Sequence, residues 1–218
     1  MNNIPKINRL KPLRHLTWGA LVIVVVASAG HLAWRTLNPS NDPARVVVTG
    51  EALIKSQFSL IDHTGQRVSE LDYRDRWQLV FFGFTYCPDI CPTTLSYVAN
   101  ILDLLGGNAE HVAPLFITVD PARDTQEVMA EYVSVFHPQL IGLTGSEAEV
   151  ASAAQSFRVF FEKRTDETVP DGYLMAHSGY IYLMTPDGKY EAIFLEGRET
   201  PETVAEQIQL RIEKEYKS

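Results

Sequence analysis

Among its 218 residues the chain has only two cysteines, and they lie four apart, at Cys87 and Cys91. That excludes a disulfide-stapled scaffold, which needs several bridges spread along the sequence. Closing so short a loop removes little entropy from the unfolded chain, so a bridge here would stabilise weakly and the pair points to chemistry instead. Positive charge is scarce beyond the N-terminus. Four of the 19 basic residues (Lys6, Arg9, Lys11, Arg14) fall in residues 1–15, leaving 15 against 27 acidic ones in the rest. That acidic remainder argues against nucleic acid, because phosphate binding needs the opposite field; it suits cationic metal and neutral or basic proteins. There is no internal repeat or low-complexity tract, and 45% hydrophobic residues are enough for one real core.

Acidic residues are absent from residues 1–15, and residues 16–34 carry no charge at neutral pH. At about 1.5 Å per residue such a run approaches the roughly 30 Å of a bilayer core. Residues 16–34 are therefore expected to be a single membrane anchor, bracketed by Trp18 and Trp34, with 1–15 cytoplasmic by the positive-inside rule. A cleaved signal peptide ending at Ala27-Ser-Ala29 is the rival reading, and it exports the same domain. Residues 35–45 read as a polar linker and 46–218 as the exported domain. No Arg- and Ser-rich transit peptide precedes the span, which favours a bacterial inner membrane with a periplasmic domain over the mitochondrial inner membrane.

Strands and helices alternate through that domain. Phe58–Ile61 and Arg67-Val68 flank a turn at His63-Thr-Gly65, and Gln78–Thr85 and Ala113–Val119 are apolar runs of buried-strand length. Leu95, Val98, Leu102 and Leu105 recur at helical spacing before Gly106-Gly107. Asp124 with Glu127, and Ser146 with Glu149, make two capping-box patterns. Leu140–Leu143 reads as a short strand, Val159–Phe161 as extended, and Lys163–Gly172 as a polar loop. Tyr180–Met184 and Tyr190–Leu195 flank the turn Pro186-Asp-Gly188, and Thr200-Pro201 opens a last helix. The pattern predicts an α/β domain of three layers with the cysteines between a buried strand and the next helix, the thioredoxin arrangement.

Pro92 suits a first helical turn, so Cys91 falls at a helix start and Cys87 in the loop before it. Amides at a helix N-terminus favour the thiolate, which is both nucleophile and metal ligand. Three residues separate the cysteines, one more than in a thioredoxin redox pair, leaving room to form a disulfide or to hold a metal. Two cysteines are too few for a closed structural zinc site, whereas two thiolates and one imidazole make a soft set suited to Cu(I). Of the six histidines, His15 and His31 belong to the anchor region, and His63, His111 and His137 read as solvated surface residues. His177, beside a core strand, is favoured as the third donor only weakly on spacing. Met175 offers a soft thioether two residues away, although gap filling is the commoner use of methionine.

The residues Phe82-Gly-Phe-Thr-Tyr-Cys87-Pro-Asp-Ile-Cys91-Pro-Thr-Thr-Leu95, Ile117-Thr-Val-Asp120-Pro-Ala-Arg123-Asp124-Thr125, Leu143-Thr-Gly145 and Tyr173-Leu-Met-Ala-His177-Ser together resemble the Sco/SenC family of copper proteins. The resemblance covers about residues 50–205. It implies a thioredoxin-like fold and one copper, Cu+ or Cu2+, held by Cys87, Cys91 and His177. It also implies delivery of copper, or of reducing equivalents, to the binuclear copper site of cytochrome c oxidase, with the copper-bearing subunit of that enzyme or another copper protein as partner. The expected molecule is a monomeric metallochaperone rather than an enzyme. The alternative is a thiol–disulfide oxidoreductase acting on the acceptor's cysteines, with Cys87 and Cys91 as its redox pair; a peroxidase is weaker still, having no need of the remote histidine. Many members carry Asp before the histidine, where this chain has Ala176, which bears on redox tuning. Asp120 and Asp124 match the family and are expected to serve turn and N-cap chemistry.

Overall fold

The computed structural model of the protein describes residues 26–28, 54–169 and 172–216. The chain divides into two units, Met1–Glu51 and Ala52–Ser218, and every element below belongs to the second. Of the expected anchor only residues 26–28 are described, as helix; the rest of it, residues 1–15 and the linker 35–45 lie outside the described residues. Among the described residues no helix is long and apolar enough to cross a membrane.

The order is β1 (Ser59–Asp62), β2 (Arg67–Ser69), β3 (Trp77–Gly83), α1 (Ile90–Leu105), β4 (Val112–Thr118), α2 (Gln126–Ser134), β5 (Ile141–Thr144), α3 (Glu147–Ser156), β6 (Phe161–Thr165), β7 (Tyr173–His177), β8 (Ile181–Met184), β9 (Tyr190–Phe194) and α4 (Pro201–Tyr216). Seven strands form one mixed sheet in the order β2-β1-β5-β4-β3-β8-β9. Its centre, β5-β4-β3, is parallel; β8 and β9 on one side and β1 and β2 on the other run antiparallel to their neighbours. Every residue of β3 and β4 is buried, which is why both read as continuous apolar runs rather than alternating ones. Helices flank the sheet: α2 packs against β5, α3 against β1, and α1 against α4. The architecture is the central mixed sheet with flanking helices that the strand–helix alternation predicts.

Local chemistry accounts for the boundaries. Asp62 Oδ1 accepts hydrogen bonds from the Thr64 and Gln66 amides and the Thr64 hydroxyl, and Gly65 takes φ +90°, closing the β1–β2 turn. In α1 the buried residues Cys91, Leu95, Val98, Leu102 and Leu105 make one stripe, and Gly106 ends it at φ +54°. Ser146 and Glu149 form the capping box of α3. Two expectations fail. Asp124 does not cap α2; Thr125 does, its hydroxyl accepting from the Val128 amide, and Asp124 turns into the core. Residues 163–172 are not one loop either, because Lys163–Thr165 belong to β6, which pairs with β7 in a separate two-stranded sheet. Four of the five β6 side chains are exposed and the run is charged, so it carries none of the apolar alternation that marks a strand in sequence. His177 is the last residue of β7.

Candidate metal centre

The last residue of β3, Gly83, delivers the chain to the loop Phe84–Asp89, and α1 begins at Ile90. Cys87 is half-buried in that loop, its amide donating to the Phe84 carbonyl at 3.3 Å; Cys91, in the first turn of α1, is fully buried. The first amides of a helix have no carbonyl partner within it. Here the Cys91 amide points at Cys87 Sγ, 3.4 Å away, so the helix start supplies a donor to that sulfur. Both cysteines are free thiols. The hydrogen bond from Cys91 holds the Cys87 thiol far below the usual range, helped by His177 and the backbone amides and opposed by burial; Cys91, as the donor of that bond and wholly buried, is pushed up. Within the pair these effects favour the thiolate at the half-buried Cys87 and the thiol at Cys91.

His177 reaches the pair from β7. Its Nε2 lies 3.5 Å from Cys91 Sγ, and Nδ1 lies 3.1 Å from the Ser178 carbonyl. A carbonyl only accepts, so Nδ1 donates in that contact, and Nε2 is the ring nitrogen turned toward the sulfurs. The ring is held edge-on to Phe81 and Phe84 at centroid distances of 6.1 and 5.8 Å. Ala176 and His177 point to opposite faces of β7, since strand side chains alternate. A backbone carbonyl therefore orients the imidazole in this chain. Of the other described histidines, none comes to the thiol pair: His63 accepts from the Gly142 amide, His111 stacks on Tyr216, and His137 accepts from the Gln139 amide.

The donor set is soft and nitrogen-containing, and its surroundings are apolar. Phe81, Phe84 and Phe116 are buried beside it. Gly83 is required here: a Cβ would come within 2.8 Å of both Cys91 Sγ and the Phe116 ring. Tyr86 and Ile90, more than half exposed, place apolar surface on either side of Cys87. Among the described residues no three His, Cys, Asp or Glu side chains already surround a common point closely enough to hold an ion. Closure on a metal would therefore require the three side chains to reorient, with Cys87 and His177 the two that are only half-buried. Met175 lies on the same strand face as His177 and packs against the core.

Asp120 and Asp124 have buried roles that the sequence does not announce. Asp124 accepts from the Thr85 amide (3.1 Å), the Thr85 hydroxyl (2.6 Å) and the Thr118 hydroxyl (2.5 Å), so it ties the cysteine loop to the end of β4. Burial pushes its pKa up against those bonds. Asp120 binds Arg123 and the Tyr173 hydroxyl, joining the β4–α2 connection to β7. The motif Val119-Asp-Pro-Ala-Arg-Asp was visible; that its acids face inward follows only from the fold.

A model of the SCO1/SenC family matches residues 47–213. Protein sco1 of Schizosaccharomyces pombe is 38% identical over 183 residues, spanning 80% of this chain and 69% of that protein. The crystal structure of Arabidopsis thaliana ScoI with copper bound is 40% identical, covers 74% of this chain and 99% of that one, and superposes with a TM-score of 0.68. Bradyrhizobium japonicum ScoI, also with copper bound, is 39% identical, covers 72% and 98%, and gives 0.67.

Proposed function

The chain belongs to the SCO1/SenC family, and from that premise we propose that it is a copper metallochaperone, holding one copper ion through Cys87, Cys91 and His177 and handing it on during assembly of the binuclear copper centre of cytochrome c oxidase. The observation that carries this is the imidazole: Nε2 stands 3.5 Å from Cys91 Sγ. Two ligands of one small ion are separated by about this distance, since metal–sulfur and metal–nitrogen bonds are about 2.0–2.3 Å. Thiolates favour Cu(I), and adding imidazole keeps Cu(II) accessible, so the donor set tolerates both states of the cargo. The bound copper of the Arabidopsis and Bradyrhizobium relatives supports the same cargo.

In this reading Cys91 is the donor buried in the core, and His177 stands edge-on to Phe81 and Phe84. Cys87 is the thiol of the pair nearer the surface. Its exposure lets an acceptor's thiolate approach, so release proceeds by ligand exchange at Cys87, and Tyr86 and Ile90 give the acceptor apolar surface. The tether over 16–34 keeps the domain beside a membrane-embedded acceptor, on the periplasmic side of a bacterial inner membrane. The chain works as a monomer and turns over no substrate.

A second reading keeps its place on one observation, the half-buried Cys87 sulfur accepting from the Cys91 amide at the helix start, an environment that favours the thiolate from which a thiol–disulfide reductase attacks. His177→Ala separates the two. It removes the nitrogen donor and leaves the cysteine pair local. In cells with copper limiting, oxidase assembly is expected to fail with this variant; normal oxidase activity would move the assignment to thiol exchange.

A further inference from the structure

Tyr86 precedes the first cysteine and Tyr173 opens the strand that His177 closes, and one guanidinium lies against both. The Arg123 side chain is 11% exposed. Its central carbon stands 3.8 Å from the Tyr173 ring centroid, 4.6 Å from that of Tyr86 and 5.9 Å from that of Phe84. In its plane, Nε donates to Asp120 Oδ2 at 2.5 Å and Nη1 to the Tyr173 carbonyl at 3.3 Å, while the Tyr173 hydroxyl donates to Asp120 Oδ1 at 3.1 Å. A flat cation that stacks and donates sideways at once is a property of Arg and not of Lys.

The metal donors need such a link. Cys87 is carried by the loop after β3 and Cys91 by α1, whereas His177 is carried by β7, which among the described residues pairs with β6 and with no strand of the seven-stranded sheet. No ladder hydrogen bond therefore fixes the imidazole relative to the sulfurs. Tyr173, Met175 and His177 share one face of β7, and His177 lies four residues from Tyr173, about 13 Å along an extended strand. Anchoring the first residue of so short a strand limits the tilt available to the last.

We propose that Arg123 is a positioning residue for the metal centre, clamping Tyr86 of the cysteine loop to Tyr173 of β7 so that the His177 ring is held at the thiol pair. The role rests on the reading of His177 as a ligand. Phe84 lies between Arg123 and His177 in the chain of contacts, its ring centroid 5.9 Å from the guanidinium carbon and 5.8 Å from the His177 ring centroid. Asp120 orients the guanidinium and in turn is held by the Thr118 hydroxyl, which accepts from its amide.

The test uses the full chain, reduced, with Arg123→Lys, which keeps the charge beside Asp120 and loses the stacking plane. Tyr86→Leu is a second variant at a half-exposed position where folding is not at stake. The readouts are the His177 ring NMR signals without metal, and Cu(I) affinity by chelator competition, each in the parent and in the His177→Ala background. Both variants are expected to shift the His177 ring signals. Each should weaken Cu(I) about tenfold in the parent and less than about twofold once His177 is gone, the non-additivity of two residues acting through one donor. Unchanged ring signals with parental affinity would overturn the clamp. Equal losses in both backgrounds would overturn it too, showing a general structural role. If His177→Ala alone leaves Cu(I) affinity unchanged, the ligand reading fails, and the metal-free ring signals then decide the clamp by themselves. Should Arg123→Lys not fold, Tyr86→Leu carries the same outcomes.

Discussion

At the scale of single residues, the chemistry of the site depends on where one proton and one Cβ are placed. The Cys91 hydrogen bond depresses Cys87, so its thiolate persists well below neutral pH and is lost only as pH falls toward that lowered value. An ordinary thiol near 8.5 loses roughly 50–100-fold in thiolate between pH 8 and pH 6. Alkylation of Cys87 by iodoacetamide should therefore slow by less than about twofold over that interval, with Cys91 unreacted; a slope like that of free cysteine would contradict the assignment. Gly83→Ala forces a Cβ to 2.8 Å from Cys91 Sγ and the Phe116 ring, both buried. It should cost about 1–3 kcal/mol and weaken copper binding, measurable as a lowered denaturation midpoint and a shifted chelator competition. The cysteine pair was legible from spacing, because a loop-to-helix Cys pair has a local signature. His177 was legible only through the family resemblance, spacing favouring it weakly, since its contact with Cys91 spans 86 residues and exists only in the folded chain.

At the scale of elements, sequence patterns succeeded where burial and periodicity coincide. The wholly buried β3 and β4 and the stripe of α1 fell where apolar runs placed them. They failed at β6, whose exposed, charged residues look like loop, and at the start of α2, where Asp124 mimics a cap while Thr125 performs it. Those two failures lie beside the site: β6 supports the strand of His177, and Asp124 holds the loop of Cys87. Asp124→Ala would leave the buried Thr118 hydroxyl and the Thr85 donors without their acceptor. Unsatisfied buried groups cost about 1–3 kcal/mol each, so a loss of roughly 2–4 kcal/mol in chemical denaturation is expected, with faster amide exchange in residues 84–89. A loss below about 1 kcal/mol would show that water replaces the carboxylate. Met175, packed against the core, should be replaceable by Leu without change in the copper spectrum.

At the scale of the whole molecule, one continuous apolar core runs through the sheet and its helices; Cys91 lies within it and Cys87 packs against its edge. A core of this size does not depend on metal to form. The reduced, metal-free domain from about residue 44 onward should unfold in one cooperative thermal transition, and copper should raise its midpoint by mass action. A transition seen only with metal would show that folding is coupled to binding. The topology expectation is separate: the four-to-zero charge count before the uncharged run puts the domain outside the cytoplasm, so external protease should digest it in spheroplasts. The central claim is the three-donor site, and X-ray absorption of the reduced domain loaded with one equivalent of Cu(I) tests it most directly. Two sulfurs and one nitrogen around copper, with the nitrogen gone in His177→Ala, is the expected result; a shell of sulfur alone, or a nitrogen that survives that substitution, would contradict it.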